Sequence, residues 1–498
     1  MSNPPDEPTS ADAPAADASF APAAPAPGPR PSAPASAPGA PPAAGPPEGP
    51  EELLPETRRV LLHRLATAQS EGRVPSAAAV VMRDGRPVWS AGRGEVDGRT
   101  PHPDTQYRIG SLTKSFVAVA VLRLRNEGRL DLQDPLGRHL DVPHGGGATV
   151  AQLLSHTSGL AAEPRGPWWE RTSGELRPEL ADLFGERPQR HPAGRRHHYS
   201  NTGYALLGAL VEKLRGAPWG EVLRREVWEP LGMDRTGLHP QPPHAAGWAV
   251  HPWADVVQPE PLADTGRMAP AGQLWSTTAD LARFAGFLAA GDERVLGADG
   301  VAEMRTPAVA PESGSWDGGY GLGLQLLRTG GRELAGHTGS MPGFVACLWV
   351  DAVEGLGSAV LANATNGLSA PVLAAELLSL VAEREPRLPE PWRPSGAVDG
   401  RLLDLTGPWY WGAAPYAVRL RGGGRLELGP LSGAGRASRF APDGSGDWRG
   451  LDGYFAGETL RAVRGEDGEV GHLDLGTFVF TRQPYDPAAP VPGGADRW

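Results

Sequence analysis

The chain has 498 residues, enough for two or more domains, one of them large. Its formal charge of -11 argues against nucleic acid and anionic membrane surfaces as partners, and its single cysteine, Cys347, excludes an internal disulfide. No apolar run approaches the roughly 18 to 20 residues of a membrane span, and the opening stretch lacks the basic and apolar regions of a secretory signal, so the expected location is cytoplasmic.

Residues 1–50 are mostly Pro and Ala. Such a segment has little apolar bulk to bury, and a disordered tail is expected there. Residues 51–385 are read as one folded domain. It opens with an amphipathic helix over residues 53–70, carried by Leu54, Val60, Leu61, Leu65 and Ala68. Two strand-like runs, residues 77–82 and 87–90, then flank Asp84-Gly85, a hairpin signal.

The next stretch, residues 107–122, is apolar nearly all round and begins with Ser111 and Lys114. A helix without a polar face belongs in the interior. There, positions i and i+3 are neighbours, so Lys114 is expected beside Ser111. A lysine so enclosed tends to lose its charge, and a neutral amine can take a proton from a hydroxyl. Serine needs that help, because its free hydroxyl is a weak nucleophile. This pairing points to an acylating serine hydrolase.

A short helix over residues 149–154 runs into Ser155-His156-Thr157-Ser158-Gly159-Leu160. Ser155 and His156 are adjacent and do not face each other on a helix, so a turn role is expected. Between residues 163 and 189 the composition is irregular, and Trp168-Trp169 there read evenly as pocket wall or as loop packing. His191, His197 and His198 lack acidic or cysteine companions at ligand spacing, and no metal is expected.

Tyr199-Ser200-Asn201 precedes another apolar helix, and Thr277 or Thr278 caps a helix over residues 281–288. Gly336-His337-Thr338-Gly339-Ser340 precedes the strands at residues 344–350 and 357–363, and a helix over residues 370–384 closes the domain. The order suits an α+β fold: an antiparallel sheet built from both ends of the domain, with an inserted helical subdomain. Residues 386–396, with Pro389, Pro391 and Pro394, read as a linker. Short strands between glycine-rich turns then predict a small antiparallel β domain over residues 397–498. Trp409, Tyr410, Trp411, Trp448, Tyr454 and Phe455 are its core or line a cavity there.

Ser111-x-x-Lys114, Tyr199-x-Asn201 and His337-Thr338-Gly339, in that order, resemble the three motifs of the serine β-lactamase and penicillin-binding-protein superfamily. The nearer likeness is to its class C branch, which includes esterases and D-amino-acid peptidases. The resemblance implies that Ser111 becomes acylated, with Lys114 and Tyr199 as the proton-transfer pair. It implies further that Asn201 hydrogen-bonds near Lys114 and the substrate, and that the N–H groups of Ser111 and Ser340 form the oxyanion hole. Either Lys114 or Tyr199 could be the acylation base.

The third motif departs from the pattern. Most β-lactamases and penicillin-binding proteins have Lys where this chain has His337, which is largely neutral at pH 7 if its pKa is ordinary. That substitution favours esters or D-peptides over a penicillin carboxylate; a purely structural hydrogen-bonding role for His337 stays open. His337, Thr338, Gly339, Trp168 and Trp169 are the expected substrate contacts. The expected substrate is a small molecule or short peptide, and the absence of a phosphate loop or dinucleotide fingerprint leaves no cofactor implied. The alternatives are a class C-type β-lactamase or D-alanyl-D-alanine carboxypeptidase, or an acylatable sensor with slow turnover.

Overall fold

A computed structural model describes residues 53–310, 317–389, 391–394, 396, 399–484, 488 and 490. The Pro/Ala-rich segment expected to be disordered lies outside the described residues. The chain divides into two compact units between Glu385 and Pro386.

The first unit is built on a seven-stranded antiparallel sheet. Its strands are β1 (Ser76–Arg83), β2 (Arg86–Gly94), β3 (Gly318–Tyr320), β4 (Gln325–Thr329), β5 (Arg332–Met341), β6 (Phe344–Asp351) and β7 (Leu356–Ala362), in the spatial order β2-β1-β7-β6-β5-β4-β3. The first hairpin turns at Asp84 and Gly85, both at positive φ, the left-handed pair that suits a two-residue connection. Strand β1 pairs with β7, Ala77 opposite Ala362, so the two ends of the unit meet in the middle of the sheet.

Helices cover both faces, which is why β1 and β7 are apolar along their length rather than alternating. Ala77, Ala79 and Val81 pack with Leu61 and Leu65 of α1 (Pro55–Glu71), and with Leu373, Leu377 and Val381 of a C-terminal helix (Ala370–Arg384). Ala78, Val80 and Met82 face the opposite core. That core is filled from α2 (Thr113–Asn126), α3 (Asn201–Arg215) and α4 (Thr278–Ala290). These helices belong to the insertion between β2 and β3, and Phe116 of α2 stacks on Phe284 of α4 at 3.9 Å. Thr277 is the residue that caps α4, accepting from the Asp280 N–H.

The third motif lies within β5, which then turns into β6. Strands β3 and β4 leave little trace in the sequence: β3 is three residues with two glycines at the sheet edge, and β4 beside it is five residues with no alternation of apolar and polar side chains.

The second unit is a closed antiparallel barrel of eight strands between Gly407 and Thr481. Its ends join where Tyr410 pairs with Thr481. Trp409, Trp448 and Phe455 are core, whereas Trp411 and Tyr454 are exposed. Trp409 is fully buried and its indole N–H donates to the Leu405 carbonyl.

Candidate active site

Ser111 lies on a tight turn ahead of α2. Gly110 has φ +52 and opens a 3-10 turn, Gly110–Leu112, that runs directly into α2. Ser111 therefore sits on the tighter turn, not on the α-helix. In 3-10 geometry residues i and i+3 eclipse, which brings Lys114 over Ser111. The Lys114 ammonium donates to Ser111 Oγ at 2.9 Å and to the Ala271 carbonyl at 2.6 Å. Thr113 ties the turn together, donating to the Gly110 carbonyl and accepting from the Leu274 N–H.

Strand β5 runs against this turn. A Cβ on Gly110 would stand 2.5 Å from the Ser340 nitrogen, and one on Gly339 would overlap the Ile109 carbonyl oxygen. Both positions need glycine for that approach. It sets the Ser340 backbone beside Ser111, and both residues line one cavity of about 620 Å³. Tyr199, Thr338, Gly339, Gln325 and Glu170 line it as well.

Tyr199 lies just before α3, whose N-cap Ser200 accepts from the Gly203 N–H at 3.0 Å. Its hydroxyl is hydrogen-bonded to Ser111, and its ring centroid lies 4.9 Å from the Lys114 ammonium. Burial pushes the phenol pKa upward, so Tyr199 stays protonated. Lys114, fully buried, moves the other way: burial lowers its pKa from 10.5 to about 7, against the pull of Glu163 and Glu170. Of the pair, the lysine is the group able to accept a proton near neutrality.

Asn201, the first residue of α3, donates from Nδ2 to Glu163 Oε1 at 2.9 Å. Its Oδ1 is buried without a hydrogen-bond partner among the described residues, and Asn201 does not line the cavity. His337 is buried and does not line the cavity. Its Nδ1 is 2.6 Å from the Thr338 carbonyl and must donate there, so Nε2 accepts from the Tyr320 hydroxyl at 2.9 Å. Burial and the nearby Lys114 lower the His337 pKa to about 3. Thr338 meets the cavity instead, its N–H bonded to Gln325 Oε1 at 3.0 Å.

The two tryptophans separate. Trp169 is buried and donates to Glu163 at 2.7 Å. Trp168 is exposed, donates to Glu170 at 2.8 Å, and lines an adjoining cavity that shares Glu170, Ser340 and Thr365 with the first. Neither lines the Ser111 cavity; the residue after them, Glu170, does. Glu170 is its only charged lining residue among the described residues, and burial, with Glu163 close by, raises its pKa. Glu163, Glu170 and Gln325 are the site residues that sequence reasoning missed. The acid following Trp168-Trp169 was the one signal available.

Among the described residues no group of three or more His, Cys, Asp or Glu is placed to hold a metal, and no helix is long and apolar enough to cross a membrane.

A family model described as Beta-lactamase matches residues 61–383, and a domain of unknown function, DUF7586, matches residues 398–482. The chain is 25% identical over 279 residues to a putative penicillin-binding protein, PbpX, of Bacillus subtilis (strain 168). That match covers 54% of this chain and 66% of the relative, just under two thirds of its length. In fold it is similar to an octameric penicillin-binding protein homologue from Pyrococcus abyssi, with TM-score 0.58 and 24% identity over 85% of this chain and 99% of that one. It is also similar to D-amino acid amidase from Ochrobactrum anthropi SV3 complexed with D-phenylalanine. There the TM-score is 0.56 and the identity 26%, over 66% of this chain and 99% of the amidase.

Proposed function

The chain belongs to the beta-lactamase family, and from that premise we propose that it is a serine hydrolase that cleaves esters or amides through an acyl-enzyme on Ser111. The observation that carries this reading is the 2.9 Å contact between Lys114 and Ser111 Oγ in an open cleft. Neutral Lys114 takes the proton as Ser111 Oγ adds to the carbonyl carbon. Two N–H groups, of Ser111 and Ser340, hold the oxyanion, an arrangement in which losing one donor costs about a hundredfold to a thousandfold in rate. The Tyr199 hydroxyl, bonded to Ser111, passes its proton to the departing alcohol or amine and takes back from the Lys114 ammonium the proton that came from Ser111, so both groups return to their starting states. Water then attacks the acyl carbon by the reverse relay and frees Ser111.

The substrate class follows from charge. Among the described residues no cation lines the cavity to receive a carboxylate, and the one charged group there is Glu170. Lys114 and Arg108 act on Glu170 only through their charge, without an ion pair to it among the described residues, and such a half-buried carboxylate favours an ammonium on the ligand. We assign the substrate as an ester or amide whose acyl part bears a free amine. The likeness to a D-amino acid amidase supports aminoacyl amides of D configuration.

The test compares D-phenylalanine amide, its N-acetyl derivative and p-nitrophenyl acetate. Ser111→Ala should abolish all turnover and labelling by a fluorophosphonate probe; equal labelling of that variant sinks the mechanism. Glu170→Gln should raise KM for the free amine by about tenfold or more, the worth of a charge-assisted hydrogen bond, and leave the acetate ester unchanged. If it has no effect on the amine, or the N-acetyl compound is preferred, the ammonium assignment fails while the serine mechanism stands. A burst without steady turnover would move the reading to an acylatable sensor.

A further inference from the structure

The stretch Ser155-His156-Thr157-Ser158-Gly159-Leu160 has no part in the chemistry above, yet its backbone lies along the segment that delivers Tyr199. The Gly159 carbonyl accepts from the Arg190 N–H at 2.8 Å, the Thr157 carbonyl from Gly194 at 2.7 Å, and the His156 carbonyl from His198 at 2.7 Å. One more rung is made by a side chain: the Ser200 N–H donates to His156 Nδ1 at 3.1 Å. The last two rungs bracket Tyr199. Between them the His156 ring lies against the Tyr199 ring, centroids 4.1 Å apart and planes at 34°.

We infer that His156 is a positioning residue: it grips the chain on both sides of Tyr199 and supports its ring, fixing where the Tyr199 hydroxyl meets Ser111. The inference rests on the Ser111–Tyr199 reading above. Three further features fit it. His156 is fully buried and holds φ +57, a conformation costly for a histidine and kept only where the surroundings demand it. Nδ1 accepts a hydrogen bond, so in the neutral ring the proton is on Nε2, and Nε2 is buried without a hydrogen-bond partner among the described residues. Burial, then the Lys114 ammonium, hold the ring's pKa well below its ordinary value, which keeps the acceptor for Ser200 available.

The groups that face the ring are Lys114 from α2, His197, His198 and Tyr199 from the preceding loop, Tyr204 from α3, Tyr320 from β3 and His337 from β5. No carboxylate is among them. A protonated His156 would thus meet the Lys114 ammonium, other imidazoles and phenols but no carboxylate to offset its charge, and would also lose its bond to Ser200.

Two variants divide the function of the residue. His156→Asn keeps an acceptor near the place of Nδ1 and tolerates positive φ, but removes the ring; His156→Phe keeps the ring and removes the acceptor. Each should lower kcat on D-phenylalanine amide, whose amide nitrogen leaves only when protonated, by about 10- to 100-fold, the penalty of a small misplacement of a reacting group, with KM little changed. The decisive comparison is with Tyr199→Phe. Because His156 acts through Tyr199, adding His156→Phe to Tyr199→Phe should cost nothing more. A further tenfold loss in the double variant, or wild-type kcat in a folded single variant, overturns the proposal.

If a variant does not fold, the wild-type protein still decides the matter. Histidine-labelled ¹⁵N spectra should show one ring, absent in His156→Asn or unassignable to any other histidine, as the neutral Nε2–H form from pH 5 to 9. A protonated ring or the Nδ1–H form overturns it. Full activity in Tyr199→Phe would refute the proton relay instead, a separate failure.

Discussion

Replacing Lys114 by Met should inactivate the enzyme and make it more stable, by an amount that depends on pH. The unfolded lysine binds its proton up to about pH 10.5, whereas the folded one releases it at about 7 because it is buried. Between these values the unfolded state holds more protons, so stability rises with pH across that window. Below it both states are protonated, and the folded protein carries the full cost of the buried charge. Holding Lys114 in its site costs about 4 kcal/mol at pH 7 and about 2 kcal/mol at pH 9 when the two proton affinities are compared. Methionine has similar length and no charge to desolvate. Against this gain, the Ala271 carbonyl loses its donor, at about 1–3 kcal/mol for a buried acceptor left unpaired. The balance is a variant about 2 kcal/mol more stable than wild type at pH 7 and about equal to it at pH 9. Urea or calorimetric melts of both proteins at pH 6, 7, 8 and 9 read the gap directly. A gap that is independent of pH would mean that Lys114 keeps an ordinary pKa, and the argument for it as the base would fall.

Two further outcomes follow from the same site. The pH profile of kcat/KM on a neutral ester should rise through about pH 7, as free-enzyme Lys114 loses its proton, and Tyr199→Phe should lower the profile without moving that limb; a limb near pH 10 would mean that Lys114 keeps its ordinary pKa. Gly339→Ala should drive β5 away from the Ile109 carbonyl and displace the Ser340 N–H, lowering kcat by about a hundredfold or more with KM nearly unchanged; steady-state kinetics on a variant with a wild-type melting profile would check this, and unaltered kcat would remove Ser340 from the oxyanion hole.

Some of this was legible in the sequence for physical reasons, and some was not. The Ser111–Lys114 contact follows from local geometry alone: an i, i+3 spacing at the head of an apolar run. The helices and the central strands were legible because both sheet faces are covered, which leaves long apolar segments between clear turn residues. Strands β3 and β4 were not, since a three-residue edge strand with two glycines and its five-residue neighbour carry no alternation. Their absence hid Gln325, which reaches Thr338 only through the pairing of β4 with β5. Glu163 and Glu170 were hidden for another reason: their loop contains only short 3-10 turns, and no periodicity says which way a side chain points. Closure of the barrel was equally silent, because it depends on the contact between its first and last strands.

The substitution in the third motif makes sense within the electrostatics of the site. Three nitrogen bases, Lys114, His156 and His337, are buried together. A second lysine in place of His337 would add a cation to an interior that already raises the cost of the first. The two histidines avoid this by staying neutral: each is pushed down by burial and by Lys114, and each is locked by its Nδ1, as acceptor from Ser200 in one case and as donor to Thr338 in the other. With both held outside the working range, Lys114 is the base among the three that titrates near neutrality, and it alone touches Ser111 Oγ. On the proposed mechanism, His337 adds no positive charge to the site, and Glu170 is the charged residue on the cavity wall among the described residues.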